Sequence, residues 1–475
     1  MNKSDFSRRH FLKTASFASF AGITASPLLL EMNSLAAMAQ QSSLPGYRAL
    51  VCIFLAGGND GHGTVIATDA DSFNAFTQAR SGAPGLAYAM TDLLPIALRT
   101  PQGNRTFALN PNLGGVQNLF NAGRAAVIAN SGTLIAPTTK TQIQSNSVPL
   151  PASLYSHFDQ MAAWQAIAAN QGSGVHTGWG GAMADLIASV NTNTAFTCIS
   201  TSGTALFLSG EQTYQLNVTS AGPIPIGGLA NPLFGSSQAS NSLSSILTTD
   251  QNNLFAKEYQ TVVNRATAAQ ALLANSMLPA GDQGVPNPPQ YLDPITNKLT
   301  DNPLGVSLQT VARIIGARSA LGVSRQIFFV QLGGFDTHDN QAPQHARLLT
   351  QLGTAMEYFD SVMVNAGLSD QVTTFTASDF GRTLTANSDG TDHGWGSHHI
   401  IAGGAVQGGD MYGTYPIIGS NQANDMGAGR LIPTTSVEQY AGTLARWFGL
   451  TDSQVREVFP NFKNFGTNPY MTFMG

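Results

Sequence analysis

QIFFVQLG, residues 326–333, followed by Gly334-Phe335-Asp336-Thr337-His338, decides how the chain is read. A short, nearly unbroken apolar run rich in Ile, Phe and Val predicts a strand buried on both faces, as in parallel sheets covered by helices. It ends abruptly in two glycines and then in a carboxylate and an imidazole. Open α/β sheets bind ligands just beyond the carboxyl ends of their strands, so the same stretch predicts where chemistry sits.

Outward from this point the pattern repeats. Leu304–Leu321 and Ala342–Ala366 have helical apolar spacing on either side of it. Tyr47–Gly57, Ala125–Asn130, Ala195–Ser200, Val372–Ser378 and His399–Val406 read as further strands, and His157–Asn170 and Ser436–Phe448 as helices. Strand and helix in alternation predict an α/β fold with a mostly parallel central sheet covered on both faces. Residues 201–302 differ, being rich in Ser, Gly, Asn and Pro. They contain one clear helix, Leu254–Met277, and read as an insertion or cap within a domain spanning 44–475. No internal repeat is visible.

Composition narrows the class. Charged residues are 10% of the 475, against roughly 25% in an average soluble protein. Hydrophobic residues at 43% suffice for a large core, and disorder, collagen and coiled coil are excluded. Ser7-Arg8-Arg9-His10-Phe11-Leu12-Lys13, a mild apolar run and Ala37-Met38-Ala39 predict a twin-arginine export signal over residues 1–39. The expected partner during export is the twin-arginine translocase, and the expected destination is the periplasm or the medium. Removing that segment takes away four cations (Lys3, Arg8, Arg9, Lys13) and two anions (Asp5, Glu31), so the charge moves from −5 to −7. A negative surface poor in Lys and Arg argues against nucleic acid as a partner. No later run is long enough for a stable membrane anchor. Cys52 and Cys198 lie in apolar runs and read as buried free thiols, although an oxidising destination also permits one disulfide.

Three predicted strands end in site-like residues: Gly57-Gly58-Asn59-Asp60, then Asp336 with His338, then Ser378-Asp379-Phe380-Gly381-Arg382. Asp392-His393-Gly394 and His398-His399 follow. Five of the nine histidines (His338, His345, His393, His398, His399) fall within 62 residues. Anionic oxygen and neutral imidazole nitrogen on a rigid scaffold are what a divalent cation requires. Each residue taken singly has a plainer role open to it. Asp60 suits a turn, Asp336 and Asp379 suit helix caps, and only one of His398 and His399 can face a site from a strand. Ser156, opening a helix in Tyr155-Ser156-His157-Phe158-Asp159, is either a nucleophile or an N-cap, and His157 either serves the site or packs. Arg382 either steadies substrate oxygens or braces the strand end. A nucleophile elbow, a P-loop, a dinucleotide fingerprint and H-E-x-x-H are all absent.

These motifs together resemble the bacterial exported family of domain of unknown function 1501, within the alkaline-phosphatase-like superfamily. The segments that carry the resemblance are the twin-arginine signal, Leu55-x-Gly57-Gly58-Asn59-Asp60-Gly61, Ser156-His157-Phe158, Gly334 to His338, Ser378 to Thr383 and Thr391 to Gly394. The resemblance implies a three-layer αβα sandwich and a metal-dependent hydrolase of phosphate or sulfate esters, small or polymeric. It implies metal ligands at Asp60, Asp336, His338, Asp379 and His393, with Ser156 as nucleophile. Phe380 stands where the superfamily places a histidine, so one or two ions are expected, zinc or else magnesium, manganese or calcium. The alternative is an exported binding or accessory protein that keeps the fold.

Overall fold

In a computed structural model, residues 46–166, 176–229, 231–249 and 253–475 are described. The expected export segment, residues 1–39, lies outside them. The central sheet takes its strands from the whole length of the chain. In chain order they are β1 (Arg48–Ala56), β2 (Ala125–Gly132), β3 (Cys198–Ser200), β4 (Leu216–Thr219), β5 (Gly222–Pro223), β6 (Arg325–Gly333) and β7 (Val372–Ser378). A small hairpin, β8 (Arg382–Ala386) and β9 (Thr391–His393), leaves the sheet before β10 (Ser397–Ala402), β11 (Met411–Tyr412) and β12 (Thr435–Ser436) rejoin it. The order across the sheet is β11-β2-β10-β7-β1-β6-β3-β4-β5, with β12 beside β2. β1 runs parallel to both β6 and β7, whereas β10 is antiparallel to its two neighbours.

Continuous apolarity in these strands has a direct cause. Along β1, Ala49, Val51, Ile53 and Leu55 enter one core while Leu50, Cys52 and Phe54 enter the other. The helices used below are α1 (Ala70–Arg80), α2 (Gly114–Asn121), α3 (His157–Ala166), α4 (Trp179–Leu186), α5 (Leu254–Ser276), α6 (Pro303–Gly316), α7 (Gln341–Asn365) and α8 (Val437–Phe448). Apolar faces of α2, α6 and α7 fill the first core, and those of α3, α4 and α8 the second. With both faces covered, no strand needs a polar side. Two buried helix starts are capped by side chains: Asn302 accepts from the Leu304 and Gly305 N–H groups around Pro303, and Ser436 forms a capping box with Gln439.

Several expectations change. The strand expected over Ala195–Ser200 shortens to Cys198–Ser200, because Thr194–Phe196 forms a 3-10 turn. The strand expected at His399–Val406 begins at Ser397 and ends at Ala402. The helix starting at His157 is described to Ala166. Residues 201–302 hold a second helix, Ser237–Thr248, and a strand, β4, that extends the sheet beyond β3. Val218, Ala269, Leu273 and Val285 from this region pack into the first core. Both cysteines are buried free thiols.

Glu438, in the first turn of α8, is 2% exposed; one carboxyl oxygen accepts from Asn461 at 2.7 Å. Burial pushes this carboxyl up to about 7, against partial relief from the Asn461 amide. A carboxyl raised in the folded state contributes full stability below its ordinary range and loses it as pH rises through the folded value. Glu438→Gln is therefore expected to remove a loss on the order of 3 kcal/mol between about pH 5 and about pH 8. Urea unfolding at several pH values measures it, and identical pH slopes in both proteins would show that Glu438 ionises freely.

Candidate metal centre

Parallel register brings three strand ends together. Ala56 on β1 pairs with Gly333 on β6, and Leu55 with Ser378 on β7, so residues 57, 334–336 and 379 leave the sheet along one edge. The glycines make this approach feasible. Gly57 and Gly58 have φ of +115° and +83°; a Cβ on Gly57 would stand 2.3 Å from the Asp336 nitrogen, and one on Gly58 2.4 Å from the Phe380 ring. The freed Gly57 N–H donates to Asp379 at 3.0 Å.

Asp336 is the centre of the cluster. Its Oδ1 lies 3.0 Å from His338 Nε2, 3.1 Å from His393 Nε2 and 3.1 Å from Arg382 Nη1. Its Oδ2 lies 3.4 Å from His157 Nε2. The two nitrogens His338 Nε2 and His393 Nε2 are themselves 2.8 Å apart. Ligand atoms at about 2.0–2.1 Å from a tetrahedral ion stand roughly 3.3 Å from one another, close to these separations.

A second ring of contacts orients the imidazoles. The His157 Nδ1–H donates to buried Asp379 at 2.7 Å, so the Nε2 lone pair faces Asp336. The His393 Nδ1–H donates to the Tyr155 carbonyl at 2.8 Å, which likewise leaves an Nε2 lone pair inward. Tyr155 adopts φ of +74° to present that carbonyl, a left-handed conformation costly for an aromatic residue. His338 Nδ1 stands 3.6 Å from Asp392. A carboxylate behind His157 and a carbonyl behind His393 are the arrangement that fixes a metal-ligating tautomer.

Electrostatics agree with that arrangement. Burial alone would raise the Asp336 carboxyl, but hydrogen bonds from Arg382 and His393 hold it below its ordinary range, hence anionic. Burial lowers His393 and favours the neutral form a metal ligand needs. Burial raises Asp379 despite the His157 hydrogen bond. His157 Nε2 is buried with no hydrogen-bond partner. Lone pairs of His157, His393 and Asp336 thus converge on one point. A divalent cation would remove that repulsion, so the residues fit one. The ligand atoms of His157, His393 and Asp336 all lie within 4.8 Å of one another; two nitrogens and a carboxylate suit borderline ions such as zinc better than the all-oxygen shells of magnesium or calcium.

The sequence candidates divide. Asp336, His338 and His393 meet; Asp379 stands behind His157 rather than beside Asp336, and His157 takes the place nearer the cluster. Asp60 is not brought in. Its two oxygens are held by Arg80 at 2.5 and 2.8 Å, with Gln341 at 2.8 Å and the Gly63 N–H at 3.1 Å completing its shell. Burial would raise Asp60, but the Arg80 guanidinium holds it well below its ordinary range. Arg382 is buried, and its donors are spent on carbonyls of Gly57, Phe335 and Thr391 and on Asp336, so it braces the site rather than reaching outward. The Ser156 hydroxyl donates to Asp159 at 2.7 Å, within the first turn of α3. His345 donates into Asn59, and His398 and His399 are buried against Tyr415 and Trp164, away from the cluster. Only the Ser156-His157-Phe158 motif pointed toward His157 in the sequence, and nothing there pointed to Arg80.

A depression of about 390 Å³ opens beside the cluster, lined by Tyr155, His338, Asp392, His393, Met426 and Arg430. None of these comes from residues 201–302. Among the described residues, no helix is long and apolar enough to cross a membrane.

Comparison with known proteins gives three kinds of result. No curated protein matches the chain. Solved structures similar to it include a protein from work on glycosaminoglycan metabolism by Bacteroides thetaiotaomicron, 10% identical, with 87% of this chain and 75% of that one covered and a TM-score of 0.36. They also include Ps i-CgsB in complex with a neocarrahexaose (10%, 90% and 78%, TM-score 0.34) and the PsFucS1 sulfatase from Pseudoalteromonas sp. (10%, 90% and 73%, TM-score 0.32). Identities this low leave the reading of the site to its own geometry. A family model matches residues 47–459, nearly the whole described chain, and the protein belongs to the family described as protein of unknown function (DUF1501).

Proposed function

We propose that this chain is an exported, metal-dependent hydrolase of phosphate or sulfate esters on an alkaline-phosphatase-like three-layer scaffold. One observation carries the reading. Ligand atoms of His157, His393 and the Asp336 carboxylate all lie within 4.8 Å of one another, these two imidazoles are each backed by an oxygen partner, and His338 Nε2 stands beside them at 3.0 Å from Asp336. His157, His393 and Asp336 would hold a divalent ion, which would supply Lewis-acid polarisation of the ester and a lower pKa for the attacking oxygen.

The chain's own residues do the rest. Arg382 fixes the Asp336 carboxylate, Asp379 and the Tyr155 carbonyl fix two imidazole tautomers, and the open depression admits the ester from one side. The attacking oxygen is assigned to water, since the Ser156 hydroxyl is engaged by Asp159 as in a helix cap. Ser156→Ala is accordingly expected to keep turnover within about ten-fold of the parent, whereas a nucleophile would lose far more.

Elemental analysis of the purified protein, beside hydrolysis of aryl phosphate and aryl sulfate, tests the reading. About one equivalent of a zinc-like ion is expected, with hydrolysis lost on chelation. Folded, metal-free protein overturns it. The pairing of Asp60 with Arg80 favours a second reading, an accessory protein that keeps the fold, because it removes a carboxylate from the metal's reach. Bound metal with no turnover of either ester class would select it. Export is tested by replacing Arg8 and Arg9 with lysine, which is expected to retain the protein in the cytoplasm.

A further inference from the structure

Arg382 cannot receive a substrate, yet a site for anionic esters needs a cationic donor facing the depression. We infer that Arg430 is that donor and binds the tetrahedral oxyanion of the ester. This deepens the hydrolase reading but is measurable apart from it, because anion binding needs no turnover.

The geometry makes Arg430 a pre-set fork. Its Nε donates to the His393 carbonyl at 2.8 Å and one Nη to the Gly427 carbonyl at 3.3 Å. The guanidinium carbon lies 5.4 Å from the centre of the Tyr155 ring. Among the described residues no carboxylate forms a salt bridge with it, and it is half-buried at the rim of the depression shared with His338 and His393. The remaining Nη donors are left to face that space. Carbonyl anchors hold the plane without neutralising its charge, which suits bidentate recognition of phosphate or sulfate oxygens.

The supporting loop is tightly built. Asp425 accepts from the backbone N–H groups of Gly427 and Gly429 at 2.7 and 2.8 Å, and the Met426 N–H donates to the Arg430 carbonyl at 2.9 Å. Gly429, at φ of +73°, lies so close to Leu384 that a Cβ would stand 2.2 Å from that side chain. Left-handed Tyr155 joins the two halves, its carbonyl on His393 and its ring beneath Arg430. One strained residue thus positions an imidazole and a guanidinium at once.

The test is calorimetric titration of the zinc-loaded full chain with inorganic phosphate and, separately, inorganic sulfate. Arg430→Gln is expected to weaken whichever anion binds by about ten- to a hundred-fold, with zinc content and unfolding midpoint kept. Arg430→Lys, which keeps charge but not the fork, is expected between the two, and exposed Arg456→Gln to match the parent. Parent-like affinity in Arg430→Gln, or no binding of either anion by the parent, overturns the inference. Folded protein that takes up no zinc but whose anion binding is still lost with Arg430→Gln would sink the metal reading and leave this one standing.

Discussion

Replacing His157 with alanine is expected to weaken zinc binding by more than about a hundred-fold, beyond the ten- to hundred-fold typical of an outer-shell change. The imidazole is half-buried, and its Nε2 atom is buried with no hydrogen-bond partner. Asp379→Asn, which disturbs only the partner of Nδ1, is expected to cost about ten- to a hundred-fold. Competition with a chromophoric chelator measures both. Equal losses in the two variants would show that Asp379 itself reaches the ion, and no loss in His157→Ala would remove that residue from the centre.

Asp60→Ala is expected to cost about 3–5 kcal/mol of stability while leaving zinc content unchanged. Removing one partner strands the Arg80 guanidinium, which is fully buried and shared between Asp60 and the carbonyls of Thr383 and Leu384. An isolated buried charge is expensive because the interior cannot solvate it. Denaturant unfolding with parallel metal analysis gives the answer. Stable protein that has lost its metal would return Asp60 to the ligand set, as the family resemblance implied.

The contrast between these two aspartates shows where sequence reasoning ends. Asp60 and Asp336 both follow a buried strand and a pair of glycines, and locally they look alike. What separates them is Arg80, the last residue of a helix whose exposed face carries no hint of the pairing. Asp379 likewise looked like a ligand, since its strand end matched the others, but His157, 222 residues earlier, stands in front of it. The role of Arg382, left open in the sequence, is decided by its partners: its donors go to the carbonyls of Gly57, Phe335 and Thr391 and to Asp336.

The long central strands and the parallel character of the sheet's centre were written locally, because a strand buried on both faces must be apolar throughout. Some helix starts carry a local signal too, as at Asn302 and Ser436, whose side chains satisfy the first N–H groups of α6 and α8. Which of the candidate residues meet was decided by tertiary structure alone. Which lone pair meets which cation depends on distances between segments hundreds of residues apart, and no local pattern records them.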